Sequence, residues 1–323
     1  MCAARGVSVR ARFELSAKLE KWYPRHMNRG YREMMQTLRK VDCIVEVHDS
    51  RIPLSGRNTH FIRSLSSLKP HVIVMNKSDL MDIRYQNKIK ERLESDDSNS
   101  RCIFVNSLDP SAKSNGFSAI LPLTINLVRN SNRFNREDFN GYNLMIIGIP
   151  NVGKSTIINK LRNINLKASG KATTVGAIAG VTRSVLERIK INANPPVYLY
   201  DTPGVLEPKV DKGLEATMRC ALCGTLSHQL ISYEITADYL LYWLNRRNNY
   251  VYVDFLGLDG PSDNIKEVLI KGSVYFNNFI DYKSQESGEL IRRPDMEKTA
   301  KELIIAFRKG LLGRVVLDDD LFS

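Results

Sequence analysis

Long apolar runs are missing from this chain of 323 residues. No stretch approaches the roughly 20 apolar residues that cross a bilayer, so the pattern holds no candidate for a membrane-spanning helix and a soluble protein is expected. Cysteine is scarce too. Of five, Cys220 and Cys223 stand at C-x-x-C spacing, but no second pair completes a zinc site. Their apolar neighbours point to a helix, so reduced structural thiols are expected. Internal repeats are also absent. What remains is ordinary globular chemistry, 43% hydrophobic and 25% charged, in a length that suits about two domains.

Acids are few relative to bases. The net charge is +12, and Lys plus Arg outnumber Asp plus Glu by 10 to 3 over residues 1–41 and by 22 to 14 over residues 42–205. Residues 206–323 reverse the balance, with 15 against 18. An anionic partner is implied, met by the N-terminal arm and the central segment. The competing reading is a solvated surface.

The strongest motif is Gly148-Ile-Pro-Asn-Val-Gly-Lys-Ser155. It follows the apolar run Tyr142–Ile147, which suits a buried strand, and precedes Ile157, Ile158 and Leu161 at helical spacing. Glycine, four residues, glycine, lysine and serine between a strand and a helix form a phosphate-binding loop. Glycines at 148 and 153 allow the tight path that aims N–H groups at phosphate oxygens, and the helix N-terminus adds its positive dipole end. Asn151, Val152, Gly153, Lys154, Ser155 and Thr156 are therefore the expected phosphate contacts. Lys154 is expected on the β/γ-phosphates and the Ser155 hydroxyl on Mg²⁺. Asp201 ends the strand-like run Val197–Tyr200, where its carboxylate would face the metal, and Gly204 would donate its N–H to the γ-phosphate.

A second strand pattern, His71–Met75, delivers Asn76-Lys-Ser-Asp79. Asp79 can accept both the ring N–H and the exocyclic amine of guanine, a pair that adenine does not offer. Asn76 would bind N7 and hold neighbouring loops, while the Lys77 stem covers the base. Cys102–Val105 reads as the next strand, with Asn106 and Ser107 supporting guanine O6 or serving as a plain strand-to-loop turn. The expected ligand is GTP or GDP. The base reader precedes the phosphate loop here, whereas an unpermuted GTPase has the opposite order. That order predicts a circular permutation.

Residues 167–181 have the composition of a mobile loop. Thr182 is the candidate switch threonine for Mg²⁺, with Thr173 or Thr174 as the alternative. Val205 stands where signalling GTPases place the glutamine that orients water. Either a partner supplies that group or another part of the chain does. The Asn151 side-chain carbonyl is a candidate for holding K⁺ near the phosphates.

These residues resemble the permuted ribosome-assembly GTPases of the YlqF/RbgA type, and most closely their mitochondrial ribosome-associated branch. The resemblance covers Trp22–Met27, Val41–Asn58, all nucleotide motifs, Ala221–Thr225 and Ala237–Tyr242, which is most of the chain. It implies a GTP-driven factor for maturation of the large mitochondrial ribosomal subunit, stimulated by the particle. His26 is singled out by the resemblance as a substitute for the missing glutamine, although a lone histidine in a basic arm also serves as a surface or capping residue. Two departures are Arg25, where the family has glycine before His-Met, and Ala179, where it has proline before Gly-x-Thr.

Residues 1–12 contain Arg5, Arg10 and Arg12 and no acid, the composition of a mitochondrial presequence. A basic RNA-binding arm is the alternative. The expected partners are rRNA and the large mitochondrial subunit, with matrix localisation, peripheral association at the inner membrane and a monomeric state also entertained. A placeholder that binds RNA and GTP without hydrolysis, or a regulatory GTPase acting on an inner-membrane protein, are the other functional readings.

Strand-like runs at 42–48, 71–76, 101–105, 142–148, 185–191 and 197–201 alternate with helical patterns at 29–40, 83–93 and 117–128. An α/β, doubly wound, mostly parallel sheet is predicted. The expected domains are a basic segment at 1–22, the permuted GTPase at 23–210 and a smaller all-α domain at 211–323. Ile235, Tyr239, Tyr242 and Trp243 have helical spacing, as do Met296, Ala300, Leu303, Ile304 and Phe307 after Pro294. Asp318–Asp320 reads as a solvated tail.

Overall fold

A computed structural model of the chain describes residues 9–15, 35–57, 69–95, 100–111, 116–133, 136, 139–167, 188–202, 213–283 and 290–322. The expected strands form β1 (Cys43–Asp49), β2 (His71–Asn76), β3 (Ser100–Phe104), β4 (Tyr142–Ile147), β5 (Arg188–Asn192) and β6 (Val197–Asp201). Their order across the sheet is β3-β2-β1-β4-β6-β5. All pairs are parallel except β5 with β6. Burial covers every residue of β1 and β2, as central parallel strands with both faces covered require. Parallel pairing also carries β1, β2, β3, β4 and β6 to the same sheet edge at their C-terminal ends.

Helices α1 (Gln86–Ser95), α2 (Ile120–Arg129) and α3 (Lys154–Leu166) pack on this doubly wound sheet. Each buries one apolar stripe: Ile89 and Leu93, then Ile120, Leu121 and Val128, then Ile157, Ile158 and Leu161. The core also holds charge. Glu46 lies fully buried in β1 beside His48, with His71 Nε2 at 3.0 Å and the Arg57 guanidinium at 3.1 Å. Burial pushes the Glu46 carboxyl up, but Arg57 and His48 outweigh it and hold the group well below the ordinary carboxylate range. Cys43, Cys102, Cys220 and Cys223 are buried free thiols, as expected.

The chain divides into two compact units. One contains the sheet and runs to Ser227, then resumes with Arg314 onward. It includes α4 (Leu214–Leu222), so the expected boundary near 210 moves C-terminally. The reason is packing: Met218, Cys220 and Leu222 are buried, and Arg219 makes a buried ion pair with Asp318. Asp318 itself is fully buried, which corrects the solvated-tail reading at this residue.

The other unit combines residues 9–15 with His228–Gly313. Its helices are α5 (Tyr233–Arg246), α6 (Val251–Leu256), α7 (Ile265–Tyr275) and α8 (Met296–Arg308). Side chains of Ser232, Asn264 and Asp295 cap α5, α7 and α8 by accepting backbone N–H bonds. An antiparallel hairpin of β7 (Phe279–Lys283) and β8 (Leu290–Pro294) interrupts the otherwise helical unit. Pro294 therefore ends a strand, and Asp295 is the residue that starts α8.

The N-terminal arm has a structural role where it is described. Arg10 forms ion pairs with Asp238 at 2.8 Å and Asp263 at 3.0 Å, and Phe13 is buried with its ring 5.2 Å from that of Tyr239. Carboxylates of the same unit thus neutralise Arg10, where a free RNA-binding arm would leave it facing solvent.

Candidate functional site

The glycine loop leaves β4 at the C-terminal sheet edge and enters α3. Gly148 has φ 152°, and a Cβ there would come within 2.4 Å of Val47 O. Gly153 has φ 102°, and its Cβ would meet Asn76 Nδ2 at 2.2 Å. Only glycine fits at these two turns. Asn151, between them, takes the left-handed conformation at φ 61°. Val152 is fully buried and anchors the loop from below, while Ser155 and Thr156 occupy the first turn of α3.

Lys154 is buried and folds back over the loop, donating to Gly148 O at 2.8 Å and Ile149 O at 3.1 Å. Burial draws its ammonium down to about 8, partly opposed by Asp201. Asp201 sits at the end of β6, only 9% exposed. A lysine and backbone N–H groups at the N-terminus of α3 can cradle oxyanions, and the Asp201 carboxylate at the neighbouring strand end suits a cation beside them.

The base-reading segment is bolted to this cradle. Asn76 is buried at the end of β2, donating to Val152 O at 2.7 Å while its carbonyl accepts from Ser107 N at 3.1 Å. One side chain thereby ties three loops. Lys77 adopts φ 58° and donates to Asn151 O at 2.9 Å. Asp79 lies in the turn Ser78–Leu80, exposed, and its carboxylate accepts no hydrogen bond from the described residues. Asn106 turns the loop after β3 by accepting from Leu108 N at 3.0 Å, and Lys160 of α3 donates to its backbone carbonyl at 3.3 Å.

Several positioning groups carry no nucleotide motif of their own. Asp49, at the end of β1, meets Lys77 Nζ at 2.9 Å and Arg51 Nη2 at 2.7 Å. Burial raises the Asp49 carboxyl, but Arg51 and Lys77 prevail and hold it below the ordinary carboxylate range. Ser50 Oγ donates to Asn76 O at 2.7 Å, and Asn151 Nδ2 donates to Gly224 O at 2.7 Å. In the sequence, an aspartate at the end of a strand that carries no nucleotide motif was the available signal for the first of these. Gly224 gave none.

His26, Thr182 with its alternatives Thr173 and Thr174, and Gly204 lie outside the described residues. The structure brings Asn76, Lys77, Ser107, Asn151, Val152, Gly153 and Lys154 together. Among the described residues no group of three or more His, Cys, Asp or Glu is placed to hold a metal. A donor set of one hydroxyl and one carboxylate, completed by phosphate and water oxygens, nevertheless suits Mg²⁺, which keeps much of its hydration.

A phosphate loop and a guanine reader on one sheet edge, in rotated order, define a circularly permuted P-loop GTPase that binds GTP and GDP and hydrolyses GTP. Residues 143–253 match the family model described as 50S ribosome-binding GTPase. The chain is 47% identical to mitochondrial GTPase 1 of Aedes aegypti over 95% of this chain and 96% of the relative. It is 41% identical to mitochondrial ribosome-associated GTPase 1 of Bos taurus over 100% of this chain and 96% of that protein. It therefore belongs to the mitochondrial GTPase 1 family. The GDP-bound structure of TM YlqF shares the fold, with a TM-score of 0.52 at 19% identity over 88% of this chain and 97% of that one.

Proposed function

We propose that the chain is a GTP-hydrolysing assembly factor for the large subunit of the mitochondrial ribosome, working in the matrix and stimulated by the particle it binds. The observation that carries this reading is a phosphate loop tied by Asn76 and Lys77 to the Asn76–Asp79 segment, in a sequence that has valine at 205 in place of a water-orienting glutamine. Such a site binds GTP but needs a further group to align water, and relatives named as ribosome-associated indicate where that group is met.

In this reading the loop N–H groups from Asn151 to Thr156 and the α3 N-terminus bind the phosphates, and Lys154 moves from loop carbonyls onto the β/γ oxygens. Asp79 and Asn76 select guanine, with the O6 side closed by Asn106 and Ser107. Ser155, Asp201 and Thr182 would hold Mg²⁺, which would neutralise charge developing between the β- and γ-phosphates. Gly204 reports the γ-phosphate, and His26 or the particle orients water. K⁺ near Asn151 remains part of the proposal, and equal turnover in KCl and NaCl would remove it.

rRNA contact is supported by the excess of Lys and Arg over Asp and Glu before residue 206, with Arg247 and Arg292 as local phosphate contacts on the helical unit.

The test is complementation. Cells lacking the protein but supplied with Lys154→Ala should accumulate immature large mitochondrial subunits. Mature subunits at wild-type levels would instead favour a placeholder that binds RNA and GTP without needing to hydrolyse GTP.

A further inference from the structure

The last described residues fold back along the sheet unit and touch the loops that follow β1 and β2. Val315 N donates to Leu80 O at 3.1 Å, just beyond the base-reading turn. Leu317 N donates to Arg51 O at 2.7 Å, just beyond β1. Between them Val316 enters the apolar cluster of Met75, Met81 and Ile89. Asp318 then fastens the segment, accepting from Leu54 N at 2.7 Å, Ser55 N at 2.8 Å, Ser55 Oγ at 2.5 Å and Arg219 Nη1 at 3.1 Å.

We propose that residues 314–322 form a strap that positions the guanine-reading loop, with Asp318 as its anchor. The proposal rests on the reading of Asn76–Asp79 as the base reader. A continuous path of hydrogen bonds runs from the strap to that loop. Leu317 fixes the Arg51 backbone, the Arg51 side chain grips Asp49, and Asp49 holds Lys77 Nζ at 2.9 Å. Lys77 in turn closes on Asn151 O of the phosphate loop. The same anchor reaches that loop from a second side, because Arg219 lies on α4 and Gly224, just after α4, accepts from Asn151 Nδ2.

Removing one partner from a buried charged network leaves the others unsatisfied, which loosens what they held. The strap touches no nucleotide-contacting side chain directly, so its residues are positioning residues. Their signature is loss of base discrimination, because Asp79 must meet two guanine donors at once while phosphate binding depends on the loop backbone.

The experiment compares full-length Asp318→Ala, Val315→Pro and Asp79→Ala, each confirmed folded by circular dichroism and melting, for affinity toward GDP and IDP. IDP lacks the exocyclic amine that Asp79 accepts. Asp318→Ala and Val315→Pro should each lower GDP affinity by about tenfold and compress the GDP-to-IDP preference. Val315→Pro removes the N–H given to Leu80 while leaving the Asp318 network its own partners, and it carries the test if Asp318→Ala does not fold. If Asp79→Ala abolishes the preference while the strap variants stay within twofold of wild type, the strap proposal is overturned. If Asp79→Ala leaves the preference intact, the base-reader assignment fails first and the strap falls with it.

Discussion

Gly153 is placed so that its missing side chain is its function. With φ 102° and Asn76 Nδ2 only 2.2 Å from where a Cβ would stand, Gly153→Ala must push Asn76 off Val152 O and strain the backbone. Nucleotide affinity should fall by at least about tenfold, roughly the value of one buried hydrogen bond plus the strain, as measured by titration with fluorescent GDP. Lys154 makes a prediction in pH. Burial draws its ammonium down to about 8 from the ordinary 10.5, and a bound phosphate would raise it again. Below pH 8 it is charged before and after GDP binds, so affinity should be flat there. Above pH 8 binding must take up a proton, and GDP affinity should decline toward pH 9 by up to about tenfold per unit. A flat profile from pH 7 to 9 would contradict the placement of Lys154 on phosphate. The sequence was most legible at this scale, because the glycine loop and Asn76–Asp79 carry their chemistry in residue type and spacing. Asp49 and Asp318 were not legible, since a lone aspartate at a strand end or chain end has many uses and only the fold brings each to its partners.

Elements with one clear apolar period were readable, whereas elements stabilised by distant chain were not. All six sheet strands lie within a few residues of their expected positions. The hairpin β7–β8 was missed because β8 is exposed or half-exposed throughout and so shows no apolar alternation. Residues 9–15 were misjudged for a similar reason. Arg10 and Phe13 look like a basic arm until Asp238, Asp263 and Tyr239 are brought to them from more than 200 positions away. Phe13→Ala should lower amide exchange protection across α5 by about 3 kcal/mol, the usual cost of emptying a buried phenylalanine site. Unchanged protection would mean that the segment does not pack. The same contacts predict that any import processing leaves Arg10 in the mature chain, which N-terminal sequencing of protein from mitochondria can check. A mature start beyond Phe13 would contradict it.

At the scale of the whole molecule, the helical unit takes residues 9–15 and 228–313 while the sheet unit takes the stretch between them and resumes at 314, so each unit is built from two separate stretches of chain. Reading along the chain could not reveal this, because the returning segment is ten residues with a weak apolar pattern. The excess of positive charge lies before residue 206 in the sequence. Binding to ribosomal particles should therefore weaken steeply as salt rises, since phosphate contacts release counterions; salt-insensitive binding would favour a protein target. The central claim is that the chain binds GTP by itself but its catalytic water is aligned only on the particle. The direct test is GTP turnover in potassium buffer with and without purified large mitochondrial ribosomal subunits. Slow turnover alone and strong stimulation by the subunit is the predicted result. Equal turnover in both, with particle binding intact, would contradict it.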